Sequence, residues 1–203
     1  SGGSLTVNGT ANVGGTPNSI VGQNAAGTSV LTVNGGSLTY GAATGLAFGN
    51  NRVDAVGILT ISSGTATIVS GSVTATDIRS FISMGRDSGT GTINLNGGIL
   101  ATGRNFVRDG SGAADTTGAA NFVFGGGTLQ ALANQSDWLN STTKNTNQLP
   151  LSSVTVTATS TIDSNGFNVG INSAISGAGG FIKAGAGTLS LGGANSFTGG
   201  MSV

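Results

Sequence analysis

The sequence predicts an all-β fold, a parallel β-helix (β-solenoid) with about three short strands in each coil. A β-run that closes on a tight Gly-rich corner recurs along the chain, in steps of 26, 28, 34 and 29 residues. The runs begin at Leu5, Leu31, Leu59, Ile93 and Phe122. A repeated β-unit of this length buries its apolar face only by stacking on a neighbouring unit. In addition, apolar residues alternate with Thr and Ser, and no segment shows the 3.6-residue period of a helix.

Each repeat unit contains three short strands. An apolar strand that closes on Gly comes first, as in residues 19–22, 46–49 and 81–85. A polar loop leads to the strand with the Gly-rich corner, and a third short strand follows, as in residues 37–40 and 99–102. In a coil of this kind each strand bonds to the equivalent strand one repeat away, about 4.8 Å along the axis.

The period of two along each strand predicts which side chains point inward. We expect Leu31, Val33, Leu59, Ile61, Ile93, Leu95, Phe122 and Phe124 to stack in files inside the coils. A second file is predicted from Leu38, Leu100 and Leu129. At about 0.8 kcal/mol per buried methylene, these files supply the main driving force for folding.

An Asn followed by Gly recurs at one position of the unit, at Asn8, Asn34 and Asn96. Both residue types tolerate the positive φ that a sharp corner requires. The sequence therefore predicts a structural ladder of corner amides, interrupted at Ser62 and Gly125. The alternative is a polar binding strip.

Three regions follow from the pattern. Residues 1–132 and 154–203 are predicted coils of one continuous solenoid, and residues 133–153 a polar loop excursion with a helical turn at 137–140. The excursion contains the only Trp. Trp138 is predicted to cover an apolar spot on the solenoid or, alternatively, to present a stacking surface to a sugar or protein ligand.

Charged residues are few, and six of them recur as pairs after three strands: Arg52 and Asp54, Arg86 and Asp87, and Arg108 and Asp109. Stacking predicts one surface column of ion pairs, each stabilising by at most about 1 kcal/mol. Ca²⁺ binding and catalysis are the alternatives, and three arginines in the column argue against a cation.

Composition excludes several classes of function. The chain has no Cys, His or Glu, so Ser-His and Cys-His nucleophiles and imidazole or thiolate metal sites cannot form. The net charge is zero, which gives no electrostatic footprint for nucleic acid. No stretch is apolar for long enough to span a bilayer as a helix. We therefore expect no catalytic residue, metal or cofactor, no nucleic-acid partner and no membrane insertion by this segment.

The last 50 residues carry a more specific signal. Residues 174–180 lead into Phe181-Ile-Lys-Ala-Gly-Ala-Gly-Thr-Leu-Ser-Leu191 and then Gly192-Gly-Ala-Asn-Ser-Phe-Thr-Gly-Gly200. This resembles the autotransporter-associated β-strand repeat of bacterial secreted proteins, with Ile182, Phe197 and Met201 in place of the usual Leu, Tyr and Thr. The resemblance covers about a quarter of the chain. It implies a right-handed parallel β-helix in an exported passenger or stalk region, located outside the cell or on its surface.

We expect a non-enzymatic rod or stalk segment, and we interpret the sequence as part of a longer chain. Its expected partners are further coils of a parent chain or identical subunits stacked head to tail into extracellular fibres. The alternatives are an adhesin or carbohydrate-binding passenger that contacts surface glycans and, more remotely, a β-helical polysaccharide lyase.

Overall fold

The computed structural model describes residues 3–13, 19–23, 26–41, 46–50, 54–69, 81–110, 117–144 and 148–203. Within these ranges the chain forms 21 short β-strands. In chain order they are β1 (Ser4–Val7), β2 (Thr10–Val13), β3 (Ser19–Gln23), β4 (Gly27–Val33), β5 (Ser37–Tyr40), β6 (Leu46–Asn50), β7 (Ala55–Ile61), β8 (Thr65–Ile68), β9 (Phe81–Arg86), β10 (Thr90–Leu95), β11 (Ile99–Thr102), β12 (Asn105–Arg108), β13 (Ala119–Phe124), β14 (Thr128–Ala131), β15 (Ser153–Val156), β16 (Ser160–Asp163), β17 (Val169–Ile171), β18 (Ile175–Ser176), β19 (Phe181–Ala184), β20 (Leu189–Leu191) and β21 (Met201–Ser202).

The strands form three faces of a parallel β-helix. The first face is the seven-stranded sheet β1-β4-β7-β10-β13-β15-β18, and the second is the eight-stranded sheet β2-β5-β8-β11-β14-β16-β19-β21. The third face consists of the sheet β12-β9-β6-β3 and the pair β17-β20. Neighbouring strands come from successive coils and pair in parallel. The predicted parallel β-helix is confirmed.

The first-face register stacks the apolar side chains into two inward files. One file runs Leu5, Leu31, Leu59, Ile93, Phe122, Val154 and Ile175, and the other runs Val7, Val33, Ile61, Leu95, Phe124 and Val156. All are buried except Leu5, which is 63% exposed. On the second face a third file contains Leu38, Ala66, Leu100, Leu129 and Ile162. The predicted inward residues are therefore confirmed.

A row of aromatic rings continues this core toward the last coils. The rings of Phe106 and Phe122 pack edge to face with their centroids 5.1 Å apart, and the ring centroids of Phe122 and Phe124 lie 4.7 Å apart. Phe124 and Phe181 are in T-shaped contact at 5.1 Å, although a whole coil separates them. Ser160 is the register partner of Phe181 in that coil, and its small side chain leaves room for the ring to reach Phe124.

Close backbone stacking requires glycine on the third face. Gly22, Gly49 and Gly85 occupy one register position with φ of 78°, 64° and 61°. A Cβ on Gly49 would lie 2.0 Å from the carbonyl oxygen of Thr90. Glycine is therefore required here both for its positive φ and for the approach of the next coil.

The corner prediction needs a correction. Positive φ falls on Gly35, Gly64, Gly98 and Gly126, whereas Asn8, Asn34 and Asn96 are not in the left-handed region. Glycine has no Cβ to clash in that region. The residue with positive φ is therefore a glycine one or two places after the Asn. The Asn residues lie at the corners, but the left-handed turn belongs to the glycines.

Part of the predicted excursion remains in the solenoid. Gln135 bridges Val169 and Leu139 bridges Phe106, both in parallel, so residues 135–139 form a rung of the third face. Residues 137–140 form a bend and this bridge instead of the predicted helical turn. Farther along, Leu149 pairs in antiparallel fashion with Arg108.

Candidate functional site

The charged cluster that the sequence singled out is centred on Arg86. Its Nε lies 3.5 Å from Asp87 Oδ2 and 3.7 Å from Asp109 Oδ2. The Ser83 hydroxyl also donates to Asp109 Oδ2 at 2.8 Å. Asp109 is only 3% exposed, so this carboxylate is held from two sides inside the wall of the solenoid.

The five charged residues of this set that the structure describes do not form the predicted column. The register pairs Arg86 with Asn50 and Arg108 with Met84, so Arg108 is displaced by two positions from Arg86. Arg108 instead donates to the Gly118 carbonyl at 3.3 Å. Asp54 lies at an exposed turn, and Arg52 falls outside the described residues. The prediction aligned the pairs by their distance from the end of each strand, whereas the inward apolar residues fix the register.

The turn after Arg86 is strained. Asp87 and Ser88 both have positive φ, at 51° and 74°, and the Gly89 amide donates to the Arg86 carbonyl at 3.1 Å. These are the dihedral signs of a type I′ turn, which Asn, Asp and Gly favour. Asp87 therefore suits the first central position, whereas Ser88 carries a side chain at the second, where glycine is favoured.

Trp138 is fully buried, which corrects the alternative in which it contacts a ligand. Its indole N–H donates to the Arg104 carbonyl at 3.1 Å, and its ring packs in the core of the fifth coil. An aromatic ring stacks on a sugar only when one of its faces reaches solvent. Trp138 presents no such face.

Arg104, whose carbonyl binds Trp138, is a fully buried arginine that the sequence analysis did not single out. Its Nε donates to the Val69 carbonyl at 2.9 Å, and Nη2 donates to Val69 at 2.6 Å and to Gly41 at 3.1 Å. Gly41, Val69 and Arg104 follow second-face strands of successive coils. Arg104 thus links three coils at one corner, and its only sequence signal is a charge two residues after the end of a strand.

A corner amide joins two coils, whereas Lys183 bonds within its own coil. Asn34 Oδ1 accepts from the Ser63 hydroxyl at 3.3 Å, so this corner bond joins two coils. Lys183 takes the register position above Ile162, and its Nζ donates to the carbonyls of Ala184 and Gly185 at 3.1 and 2.5 Å. Both contacts are structural.

The described residues contain no group of three or more His, Cys, Asp or Glu side chains arranged to hold a metal ion. In the same part of the chain, no helix has the length and hydropathy needed to cross a membrane.

One comparison with known proteins decides the nature of the last coil. A family model described as passenger-associated-transport-repeat matches residues 181–203. These residues form a passenger-type repeat. The repeat contains β19, β20 and β21, and Phe181 and Met201, which are register partners one coil apart, lie 20 residues apart in sequence. Searches of curated proteins and of solved structures returned no significant match for this chain. The match suggests a passenger-associated structural segment, and the matched family implies a secreted or surface-exposed protein.

Proposed function

We propose that the chain is a non-enzymatic spacer, a rod-like segment of an exported passenger whose length is set by the number of coils. The observation that carries the proposal is the unbroken parallel register of the second face, which continues through eight strands from β2 to β21. The passenger-type repeat continues that register into the last coil.

The side chains support a scaffold more than a chemical site. Asp109 pairs with Arg86 and accepts a hydrogen bond from Ser83, and Arg104 bonds backbone carbonyls. The fully buried Trp138 supports a core role. These groups hold coils together, and we propose that the segment has no catalytic activity.

We further propose that additional coils stack on the two ends of this solenoid, from a longer chain or from a second copy. Leu5 is 63% exposed beside Val30, Leu31 and Tyr40, which line a cavity of about 390 Å³. At the other end Met201, in the last strand of the second face, is 46% exposed. Apolar side chains of this kind gain about 25 cal/mol per Å² when a further coil covers them.

A duplication tests the spacer role. Residues 59–153 contain three complete coils, because Leu59, Ile93, Phe122 and Val154 occupy one register position. A second copy of 59–153 inserted after Ser153 preserves the register. We expect the maximum dimension in small-angle X-ray scattering to grow by about 14 Å, three coil spacings, with unchanged cross-section.

The matched control inserts the same residues in scrambled order. The scrambled residues should appear in the scattering data as a disordered segment. The length of the folded rod should stay unchanged. A duplicated chain that becomes rounder, or that loses its β-signal in circular dichroism, would show that coil number does not set length.

A further inference from the structure

A second feature of the third face is independent of the spacer role. A groove of about 530 Å³ runs across the coils that contain residues 134–136, β17 and β20. The register places Asn134, Asn168 and Thr188 in one column, since Gln135 pairs with Val169 and Val169 with Leu189. Ser136, Gly170 and Ser190 form the parallel column two positions along.

Backbone hydrogen bonds fix the orientation of the two Asn side chains. Asn134 Oδ1 accepts from the Asn168 amide at 2.8 Å, and Asn168 Oδ1 accepts from the Thr188 amide at 3.1 Å and the Thr188 hydroxyl at 2.9 Å. Because these partners are donors, the oxygen of each side-chain amide must face them. Each Nδ2 is therefore directed away from the ladder.

These Nδ2 groups have no hydrogen-bond partner in the described part of the chain, and both side chains are exposed. The Ser136 and Ser190 hydroxyls line the same groove, also exposed. The groove thus presents two oriented amide donors, from Asn134 and Asn168 in successive coils about 4.8 Å apart along the axis, with the Ser136 and Ser190 hydroxyls two positions along the strands.

The lining restricts the chemistry of an occupant. It contains no charged side chain, so an anionic or cationic ligand would lose hydration without gaining an ion pair. An apolar ligand would cover the amide donors and leave them unsatisfied, at about 1–3 kcal/mol each. A neutral ligand rich in hydroxyl and ether oxygens both accepts from the amides and bonds the serines.

We propose that this groove binds a neutral oligosaccharide that lies along the solenoid axis, with one sugar contacting the amide of Asn134 and the next contacting the amide of Asn168. The amides are held before binding, which removes part of the ordering cost, while the shallow exposed site keeps affinity low. The site adds a recognition role to the spacer and does not depend on it.

Titration by nuclear magnetic resonance tests the proposal on the ¹⁵N-labelled chain. The probes are maltotriose and chitotriose, both neutral, and the anionic trigalacturonate. We expect at least one neutral probe to shift the side-chain amide signals of Asn134 and Asn168, with a dissociation constant on the order of 1 mM, and trigalacturonate to bind more weakly.

Ser190→Trp fills the groove, and Ser176→Trp places the same side chain on the exposed first face as the matched control. We expect Ser190→Trp to abolish the shifts and Ser176→Trp to retain them. The proposal is overturned if neither neutral probe shifts these amides at about 10 mM, if trigalacturonate binds more tightly, or if Ser190→Trp binds like wild type. The maximum dimension of each variant in small-angle X-ray scattering reports separately on the spacer role.

Discussion

The long and short coils of this solenoid are built differently. Aligned residues lie 28 apart from Leu31 to Leu59 and 34 apart from Leu59 to Ile93, but only 21 apart from Val154 to Ile175. First-face strands β4 and β7 have seven residues each, whereas β18 has two and β20 on the third face has three. Short coils therefore form fewer ladder hydrogen bonds between strands.

The short coils replace these bonds with bonds at their corners. The Ser164 hydroxyl donates to the carbonyls of Ala184 and Ala186 at 3.1 and 2.6 Å, and Asn195 Oδ1 accepts from the Ile175 amide at 2.9 Å. Each bond joins one coil to the next. A coil can therefore contain only about 20 residues when side-chain hydrogen bonds at its corners replace the ladder hydrogen bonds of long strands. Four predictions test it.

The largest expected difference concerns apolar side chains. Leu59, in a long coil, is 1% exposed inside its file, and Leu59→Ala should destabilise the protein by about 2–5 kcal/mol. Leu191, in a short coil, is only partly buried, so Leu191→Ala should cost less than about 1.5 kcal/mol. Urea unfolding followed by the fluorescence of Trp138 measures both. Equal costs would contradict the division between the two kinds of coil.

The second prediction compares two glycines of the short coils. Gly187 and Gly166 have positive φ of 93° and 86°, but a Cβ on Gly187 would lie 2.2 Å from the Phe167 carbonyl, while Gly166 has open space. Gly166→Ala should cost about 1–2 kcal/mol from φ alone. Gly187→Ala adds the clash and should cost about 2–4 kcal/mol. Thermal unfolding of the pair gives the difference, and a Gly187 variant as stable as the Gly166 variant would show that the coils separate easily.

The third prediction compares two side-chain amides, each of which bonds to the next coil. Asn168 Oδ1 accepts two bonds from Thr188 in the next short coil, so Asn168→Ala should cost about 1–2 kcal/mol. Asn34 Oδ1 accepts one long, exposed bond from Ser63 in a long coil, and Asn34→Ala should cost less than about 0.5 kcal/mol. Amide hydrogen exchange at Thr188 checks the first change locally. If the Thr188 amide exchanges no faster in Asn168→Ala, the bonds between Asn168 Oδ1 and Thr188 do not stabilise the coil.

The sequence predicts the long coils well because their signal is apolar periodicity. Leu31, Leu59 and Ile93 recur at equivalent positions, and the inward direction follows from the pleat. The resemblance at residues 174–200 predicted a passenger-type repeat, and the family match at 181–203 agrees with it.

Features that depend on register between distant coils escaped prediction. Arg108 lies two positions from the expected column because Phe106 aligns with Ile82. The carbonyls that Arg104 binds belong to Gly41 and Val69, 63 and 35 residues earlier. The groove depends on Asn134, Asn168 and Thr188, whose spacings of 34 and 20 residues give no regular period. Such contacts follow from coil lengths, which the sequence shows only after the register is known.

The smallest expected effect is a pH dependence confined to the long coils. Tyr40, the only Tyr, is buried, and burial raises the pKa of its hydroxyl above the usual value of 10.0. In the unfolded chain the hydroxyl ionises near pH 10, while in the folded chain it keeps its proton to higher pH. The contribution to stability is therefore complete below about pH 10 and is lost as the pH rises from there through the folded pKa.

Tyr40→Phe removes this titration and keeps the ring in the core. We expect the unfolding midpoints of wild type and Tyr40→Phe to move in parallel up to about pH 10 and wild type to fall more steeply above it. All other side chains are the same in the two proteins, so the difference between the two curves isolates the tyrosine. Curves that stay parallel through the alkaline range would mean that water reaches Tyr40 and that the first long coils are less tightly closed than the burial of Leu38 and Tyr40 indicates.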